Sequence, residues 1–218
     1  MEMKENTVRR KYMFVRAAFI AGMAVASLFM PAHGYGRPRL FGTVEFQMNL
    51  KNQKNWLSAM ERNKKHPVFF DEKRFTSSTL WKDLKARAAG KKVPEQLGII
   101  NRFWNMWPYR TDAEVYRKQD YWAAPYEFLE KSGDCEDYCI VKYYTLKELG
   151  IPVDDMRIVV VRETIRNIGH AVLAVYHEDR IYILDNLSEK VRPAERVRQY
   201  VPQYSVNEKH RWVHVKAR

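Results

Sequence analysis

The feature that most constrains the fold is a change of hydrophobic periodicity near Pro152. Before it, apolar residues recur at helical spacing; after it, short runs rich in valine, isoleucine and tyrosine alternate with period two. The predicted helices are 52–65, 78–89, 94–107, 126–131 and 134–150, and the predicted strands are 40–47, 156–163, 170–177, 180–187, 200–206 and 211–215. Because most helices precede most strands, the sequence predicts an α+β domain whose N-terminal helices pack on an antiparallel β-sheet.

The N-terminus has the pattern of a secretory signal. Basic residues up to Arg16 precede an uncharged apolar run, Ala17 to Met30, which is too short to span a bilayer comfortably. Pro31 ends the run, and the small residues Ala32 and Gly34 suit cleavage after Gly34. An uncleaved signal anchor is the alternative. In both cases we expect the folded domain to lie outside the cytoplasm. If the signal is cleaved, we expect no stable membrane insertion.

The predicted organisation is therefore a signal peptide, 1–34, followed by one domain, 35–218. The chain carries a formal net charge of +12. Such a charge suits nucleic acid, an acidic protein partner or an anionic membrane surface. Since the chain has no Lys/Arg-rich block and no nucleic-acid-binding motif, we do not expect a nucleic-acid partner.

The chain has two cysteines, Cys135 and Cys139, four residues apart in a predicted helix. An oxidising compartment favours disulfides, but this pair would close a very small loop with little entropic gain. We therefore expect Cys135 to be a free, functional thiol and Cys139 to be a small buried hydrophobic residue. Asp134 is the expected N-cap, with Asp137 in a capping-box position. Cys135 then lies at a helix start, where the N–H groups favour a thiolate, although neighbouring acids oppose it.

His170 is the histidine best placed to act as a base, because it opens a predicted strand. If Glu178 and Asp179 form a two-residue turn, Asp185 lies diagonal to His170 on the same face of the hairpin. Cys135, His170 and Asp185 can then act as nucleophile, base and orienting group.

Other interpretations of these residues remain open. His170 can be a hydrogen-bonded strand-end histidine, Asp185 a capping residue and Cys135 a buried thiol. Cys135, Cys139 and His170 could also supply three zinc ligands, but their spacing is not that of a common structural zinc site.

Three motifs carry a resemblance to a known family. They are YWAAPYEFLEKSGDCEDYCIVKYYTLKELGIP, GHAVLAVYH and YILDNL. The chain resembles the bacterial transglutaminase-like cysteine proteinases, and among them the LapG-type periplasmic proteases that release large biofilm adhesins. The resemblance implies a papain-like, transglutaminase-type core, with Cys135 as nucleophile, His170 as base and Asp185 as orienting group. Trp122 is expected to help shape the site. Cys139 departs from the pattern, since a small residue such as alanine is expected there.

The resemblance also implies a calcium requirement, with Ca²⁺ held by the acidic residues beside the cysteine: Asp134, Glu136 and Asp137. Oxygen ligands of this kind suit calcium. The implied substrate is a large adhesin cut at a paired-alanine site near its N-terminus. The implied partner is the periplasmic domain of an inner-membrane cyclic di-GMP receptor, which sequesters the protease.

Two alternative functions share the same residues. One is acyl transfer or cell-wall amidase activity, because this fold class supports several acyl transfers. The other is a non-catalytic, calcium-dependent binding module.

Overall fold

The computed structural model describes residues 37–67 and 81–217. The predicted signal, 1–34, lies outside these residues and stays a prediction, as does the start of the predicted helix 78–89. Within the described part of the chain, no helix has both the length and the apolar character needed to cross a membrane.

The element order confirms helices followed by strands. The helices are α1 (Lys54–Lys65), α2 (Trp81–Ala88), α3 (Val93–Trp104), α4 (Asp112–Val115), α5 (Pro125–Lys131) and α6 (Cys135–Glu148). The strands are β1 (Thr43–Met48), β2 (Met156–Glu163), β3 (Ile168–His177), β4 (Arg180–Asp185), β5 (Ser188–Pro193), β6 (Tyr200–Val206) and β7 (Arg211–Lys216).

The strands form one seven-stranded sheet in the order β1-β7-β6-β2-β3-β4-β5. The pairings are antiparallel throughout. In the β3–β4 hairpin, Leu173 pairs with Leu184 and His177 with Arg180, which confirms the register predicted from a two-residue turn. In this register, His170 and Asp185 lie at the same end of the hairpin.

Helix α6 is the central helix of the domain, since it contacts β2, β3 and β4 on one side and α3 and α5 on the other. All but the ends of this helix are buried. The opposite face of the sheet forms a second apolar cluster, which includes Leu40, Val172, Ile183, Val197 and Tyr200. A helix layer on one face of an antiparallel sheet confirms the predicted α+β class.

Several boundaries differ from the predictions. Helix α3 ends at Trp104, and β4 ends at Asp185, where a turn leads into β5. The sequence did not predict β5, because SEKVRP contains a single branched apolar residue and half of its positions are exposed. Nor did it predict α4, which is only four residues long and cannot display a helical period.

Candidate active site

The start of α6 is fixed by local hydrogen bonds around Asp137. Its Oδ2 accepts a hydrogen bond from the N–H of the helix N-cap, Asp134 (3.2 Å), and its Oδ1 accepts one from Ala123 N–H (2.6 Å). These two hydrogen bonds link the helix start to the preceding loop, in agreement with the capping-box position predicted for Asp137. Cys135 is the first residue of the helix, so its own N–H points out of the helix N-terminus.

His170 and Asp185 meet across the end of the hairpin. His170 Nε2 lies 3.0 Å from Asp185 Oδ1, and both side chains are almost completely buried. The same oxygen accepts a hydrogen bond from Leu187 N–H (2.9 Å), and Tyr200 Oη donates to Asp185 Oδ2 (2.5 Å). The Tyr200 ring also packs against the His170 ring.

These contacts set the charge of Asp185. Burial raises the pKa of a carboxyl group, but the hydrogen bonds from His170, Tyr200 and Leu187 together hold the pKa of Asp185 below its ordinary value. Asp185 is therefore a carboxylate that accepts a hydrogen bond from His170 Nε2–H. The free ring nitrogen of His170 is then Nδ1, which is available as a base.

The Cys135 thiol lies in a less favourable environment for ionisation. Burial raises its pKa well above the ordinary value, and the charges of Glu136 and Asp134 raise it further. Its S–H donates to Glu136 Oε2 (3.2 Å), so within the described residues it forms no hydrogen bond with His170. The electrostatic penalty expected from the flanking acids is therefore present, and burial adds the larger part of the increase in the thiol pKa.

His170 is nevertheless close to the start of α6. Burial raises the pKa of Asp134, the residue immediately before Cys135, and the nearby His170 is among the groups that oppose this rise. The structure thus brings the His170–Asp185 pair to the N-terminus of the helix that carries the thiol.

Five acidic residues cluster around Cys135, two more than the sequence identified. Ligand atoms of Asp112, Asp134 and Asp137 lie within 4.8 Å of one another, and so do those of Asp112, Asp120 and Glu136. The additional members, Asp112 and Asp120, come from the segment between α3 and α5.

The cluster has the chemistry of a site for a hard divalent cation. Burial, followed by interactions with neighbouring carboxyls, raises the pKa of Glu136 to about 10, and burial is also the main cause that raises the pKa of Asp112 to about 6. Asp112 Oδ1 and Asp134 Oδ1 are buried without a hydrogen-bond partner among the described residues. Since Ca²⁺ takes six to eight oxygen ligands and neutralises crowded carboxylates, these residues fit calcium. Asp112, Asp120, Asp134 and Glu136 are the residues that would hold it.

The remaining sequence expectations have distinct outcomes. Both oxygens of Asp137 accept backbone hydrogen bonds that hold the helix start. Its carboxylate is also close enough to those of Asp112 and Asp134 to ligate the same ion. Cys139 is a buried free thiol, as expected. Trp122 is buried and packs against the Trp56 ring, so it supports the loop before α5 from within the core.

Sequence reasoning missed Asp112, Asp120 and Tyr200. The first two lie in TDAEVYRKQD, a segment whose acidic residues have no periodicity that would indicate a site. Tyr200 opens a predicted strand but is distant from Asp185 in sequence, and only the position of β6 beside β2 brings it to the hairpin end.

A family model described as bacterial transglutaminase-like cysteine proteinase BTLCP matches residues 66–218. No curated protein sequence matches the chain.

Solved structures of Legionella pneumophila LapG are similar to this chain. The calcium-bound form is 34% identical, with a TM-score of 0.58, over 74% of this chain and 88% of that one. The EGTA-treated form is 34% identical, with a TM-score of 0.56, over 74% of this chain and 84% of that one. With the family model covering most of the chain, these matches establish that the protein belongs to the bacterial transglutaminase-like cysteine proteinases.

Proposed function

We propose that this protein is a calcium-dependent periplasmic cysteine endopeptidase that cuts the N-terminal region of a large surface adhesin. The observation that carries the proposal is the buried His170–Asp185 pair at the N-terminus of the helix that begins with Cys135. A nucleophile, a base and a group that orients the base are the parts that thiol-dependent peptide hydrolysis requires.

In the proposed reaction, the Cys135 sulfur attacks the scissile carbonyl carbon. His170 Nδ1 accepts the thiol proton, while Asp185 holds Nε2–H and stabilises the imidazolium. The backbone N–H of Cys135 is positioned to donate to the developing oxyanion. His170 then protonates the leaving amine, and water hydrolyses the thioester to regenerate the thiol.

Calcium bound by the acidic cluster would supply positive charge beside Cys135 and so offset the carboxylates that raise the thiol pKa. Support for calcium comes from the crowded, partly unpartnered carboxylates and from the similarity to a calcium-bound LapG structure. Asp134, Glu136, Asp112 and Asp120 would act as ligands.

The similarity to LapG-type proteases supports the biological part of the proposal. The substrate would be a large adhesin with a paired-alanine cleavage site, and its release would promote biofilm dispersal. Sequestration by an inner-membrane cyclic di-GMP receptor would control the enzyme.

The decisive assay incubates the purified protein with an adhesin N-terminal fragment and, separately, with peptidoglycan, each with Ca²⁺ or EGTA. We expect calcium-dependent cleavage of the fragment at paired alanines and none by Cys135→Ala. Cleavage of peptidoglycan alone would favour the amidase alternative. Calcium-dependent binding of the fragment without cleavage would favour a binding module.

A further inference from the structure

Lys142 is a buried cation in the middle of α6, two turns after Cys135. Only 1% of its surface is exposed, and a lysine buried to this extent requires compensating partners. Its Nζ donates hydrogen bonds to Asn101 Oδ1 (2.8 Å) and to Asn105 Oδ1 (2.6 Å). These asparagines lie at the C-terminal end of α3.

The ammonium group determines how both amides are oriented. A protonated lysine can only donate hydrogen bonds, so each asparagine must turn its oxygen towards Nζ and its NH₂ group away from it. Burial lowers the pKa of Lys142 to about 8. Since the neutral amine could accept a hydrogen bond, the protonated form is the one that fixes this orientation.

The two NH₂ groups hold the turn that follows Asp185. Asn105 Nδ2 donates to the carbonyl oxygens of Asp185 (2.9 Å) and Ser188 (3.1 Å). Asn101 Nδ2 donates to Ser188 O (2.7 Å) and Glu189 O (3.2 Å). Within this turn, Leu187 N–H donates to the Asp185 carboxylate itself. The position of the carboxylate therefore depends on the path of the turn that the asparagines hold.

We propose that Lys142 is a positioning residue for the catalytic groups, because through Asn101 and Asn105 it fixes the turn that orients Asp185 towards His170. Helix α6, which carries Cys135, thus also determines the position of Asp185, the group that orients His170. The inference rests on the proposed function and adds a residue that touches neither substrate nor the reacting atoms.

Thr145 offers a matched control in the same helix. Its Oγ1 accepts a hydrogen bond from Trp104 Nε1 (2.9 Å), so it is a second buried polar link between α6 and α3. Thr145→Val disturbs this link without touching the turn after Asp185. Lys142→Met keeps an unbranched apolar chain in place of the lysine stem and removes the ammonium group.

The first test measures cleavage of the adhesin fragment at saturating Ca²⁺. We expect Lys142→Met to lower kcat roughly 10- to 100-fold with little change in KM, since a displacement of about 1 Å in a catalytic group has effects of this order. Thr145→Val should lose thermal stability but keep kcat within about twofold, since Thr145 shares no hydrogen-bond partner with the turn after Asp185. A folded Lys142→Met variant with wild-type kcat, or equal losses in both variants, would overturn the proposal.

If Lys142→Met does not fold, Asn105→Ala decides the question. It keeps the lysine and Asn101 but removes the donor to Asp185 O. A fall in kcat similar to that expected for Lys142→Met supports the proposal, and a wild-type kcat contradicts it.

A second readout does not require peptide cleavage. The rate at which iodoacetamide alkylates Cys135, located by peptide mass spectrometry, depends on the thiolate that His170 supports. If the wild-type protein cleaves no adhesin fragment, the proposed function fails, and this rate alone tests the positioning role. A slower rate in Lys142→Met than in Thr145→Val supports the role, while equal rates refute it.

Discussion

Tyr200 Oη lies 2.5 Å from Asp185 Oδ2, on the side of the carboxylate that His170 does not occupy. The hydroxyl therefore completes a set of three donors around Asp185, together with His170 Nε2 and Leu187 N–H. One carboxylate group with three donors is held in a single orientation, which is what a group that orients a catalytic histidine requires.

The first prediction concerns this hydroxyl. Tyr200→Phe should keep the ring that packs on His170 but lose the donor to Asp185. We expect kcat to fall about tenfold with KM nearly unchanged, since a hydrogen bond to a charged group is worth about 1.5–3 kcal/mol. Steady-state kinetics with the adhesin fragment measures the effect.

Tyr176→Phe is the control for this prediction, because Tyr176 lies on the same face of the sheet and its hydroxyl contacts Glu45. Equal kcat in Tyr200→Phe and wild type would show that His170 and Leu187 suffice to orient Asp185.

The parts of the site that the sequence predicted are those set by short-range rules. The hairpin register follows from a two-residue turn, so the meeting of His170 and Asp185 could be predicted. The start of α6 at Cys135 follows from local capping. Tyr200 and Asp112 reach the site through the tertiary arrangement of β6 and of the α3–α5 segment, which no local pattern in a single sequence encodes.

The second prediction concerns the close approach of Gly133 to Asp137. A Cβ added at Gly133 would lie 2.1 Å from Asp137 Oδ2, which must then move away from the start of α6. We expect Gly133→Ala to lower the free energy of unfolding by about 1–3 kcal/mol, the usual cost of overpacking, and to weaken calcium binding. Gly169→Ala is the control, since nothing lies within 4 Å of its added Cβ. Equal urea midpoints for the two variants would contradict the argument.

The third prediction separates charge repulsion from metal binding at Asp112. Asp112 Oδ2 accepts a hydrogen bond from Tyr121 N–H (2.5 Å), and asparagine can preserve this contact while removing the charge. In EGTA, Asp112→Asn should melt above the wild type, by about 2–4 °C for each kcal/mol of repulsion removed. Adding Ca²⁺ should raise the melting temperature of Asp112→Asn by less than it raises that of the wild type, because a ligand charge is missing.

Differential scanning calorimetry with EGTA or Ca²⁺ measures both effects of Asp112→Asn. Asp179→Asn, in the exposed β3–β4 turn, is the control and should respond to calcium as the wild type does. A calcium-induced shift of wild-type size in Asp112→Asn would remove Asp112 from the set of ligands.

The last prediction concerns His214, a buried residue of β7, which lies next to the edge strand β1 and outside the β3–β4 hairpin of the active site. Its Nδ1 lies 3.0 Å from Thr43 Oγ1 and its Nε2 lies 2.9 Å from Ser205 Oγ. Thr43 Oγ1 donates its proton to Leu40 O, so it accepts a hydrogen bond from Nδ1–H, and neutral His214 is fully hydrogen-bonded. Burial lowers the pKa of His214 to about 4, although the charge of Glu45 opposes the decrease, and Arg157 adds a smaller decrease.

The sign of the pH effect follows from proton uptake on unfolding. Between about pH 6.5, the ordinary pKa of histidine, and pH 4, the unfolded chain binds a proton at His214 that the folded chain does not. Acid therefore favours unfolding across this window, and the contribution of His214 stops growing below pH 4. Urea unfolding at pH 7 and pH 5 should show that His214→Gln loses about 2 kcal/mol less stability than the wild type. Ser205→Ala keeps the imidazole, so it should lose as much stability between pH 7 and pH 5 as the wild type. Equal losses of stability in all three proteins would exclude His214 as the acid-sensitive group.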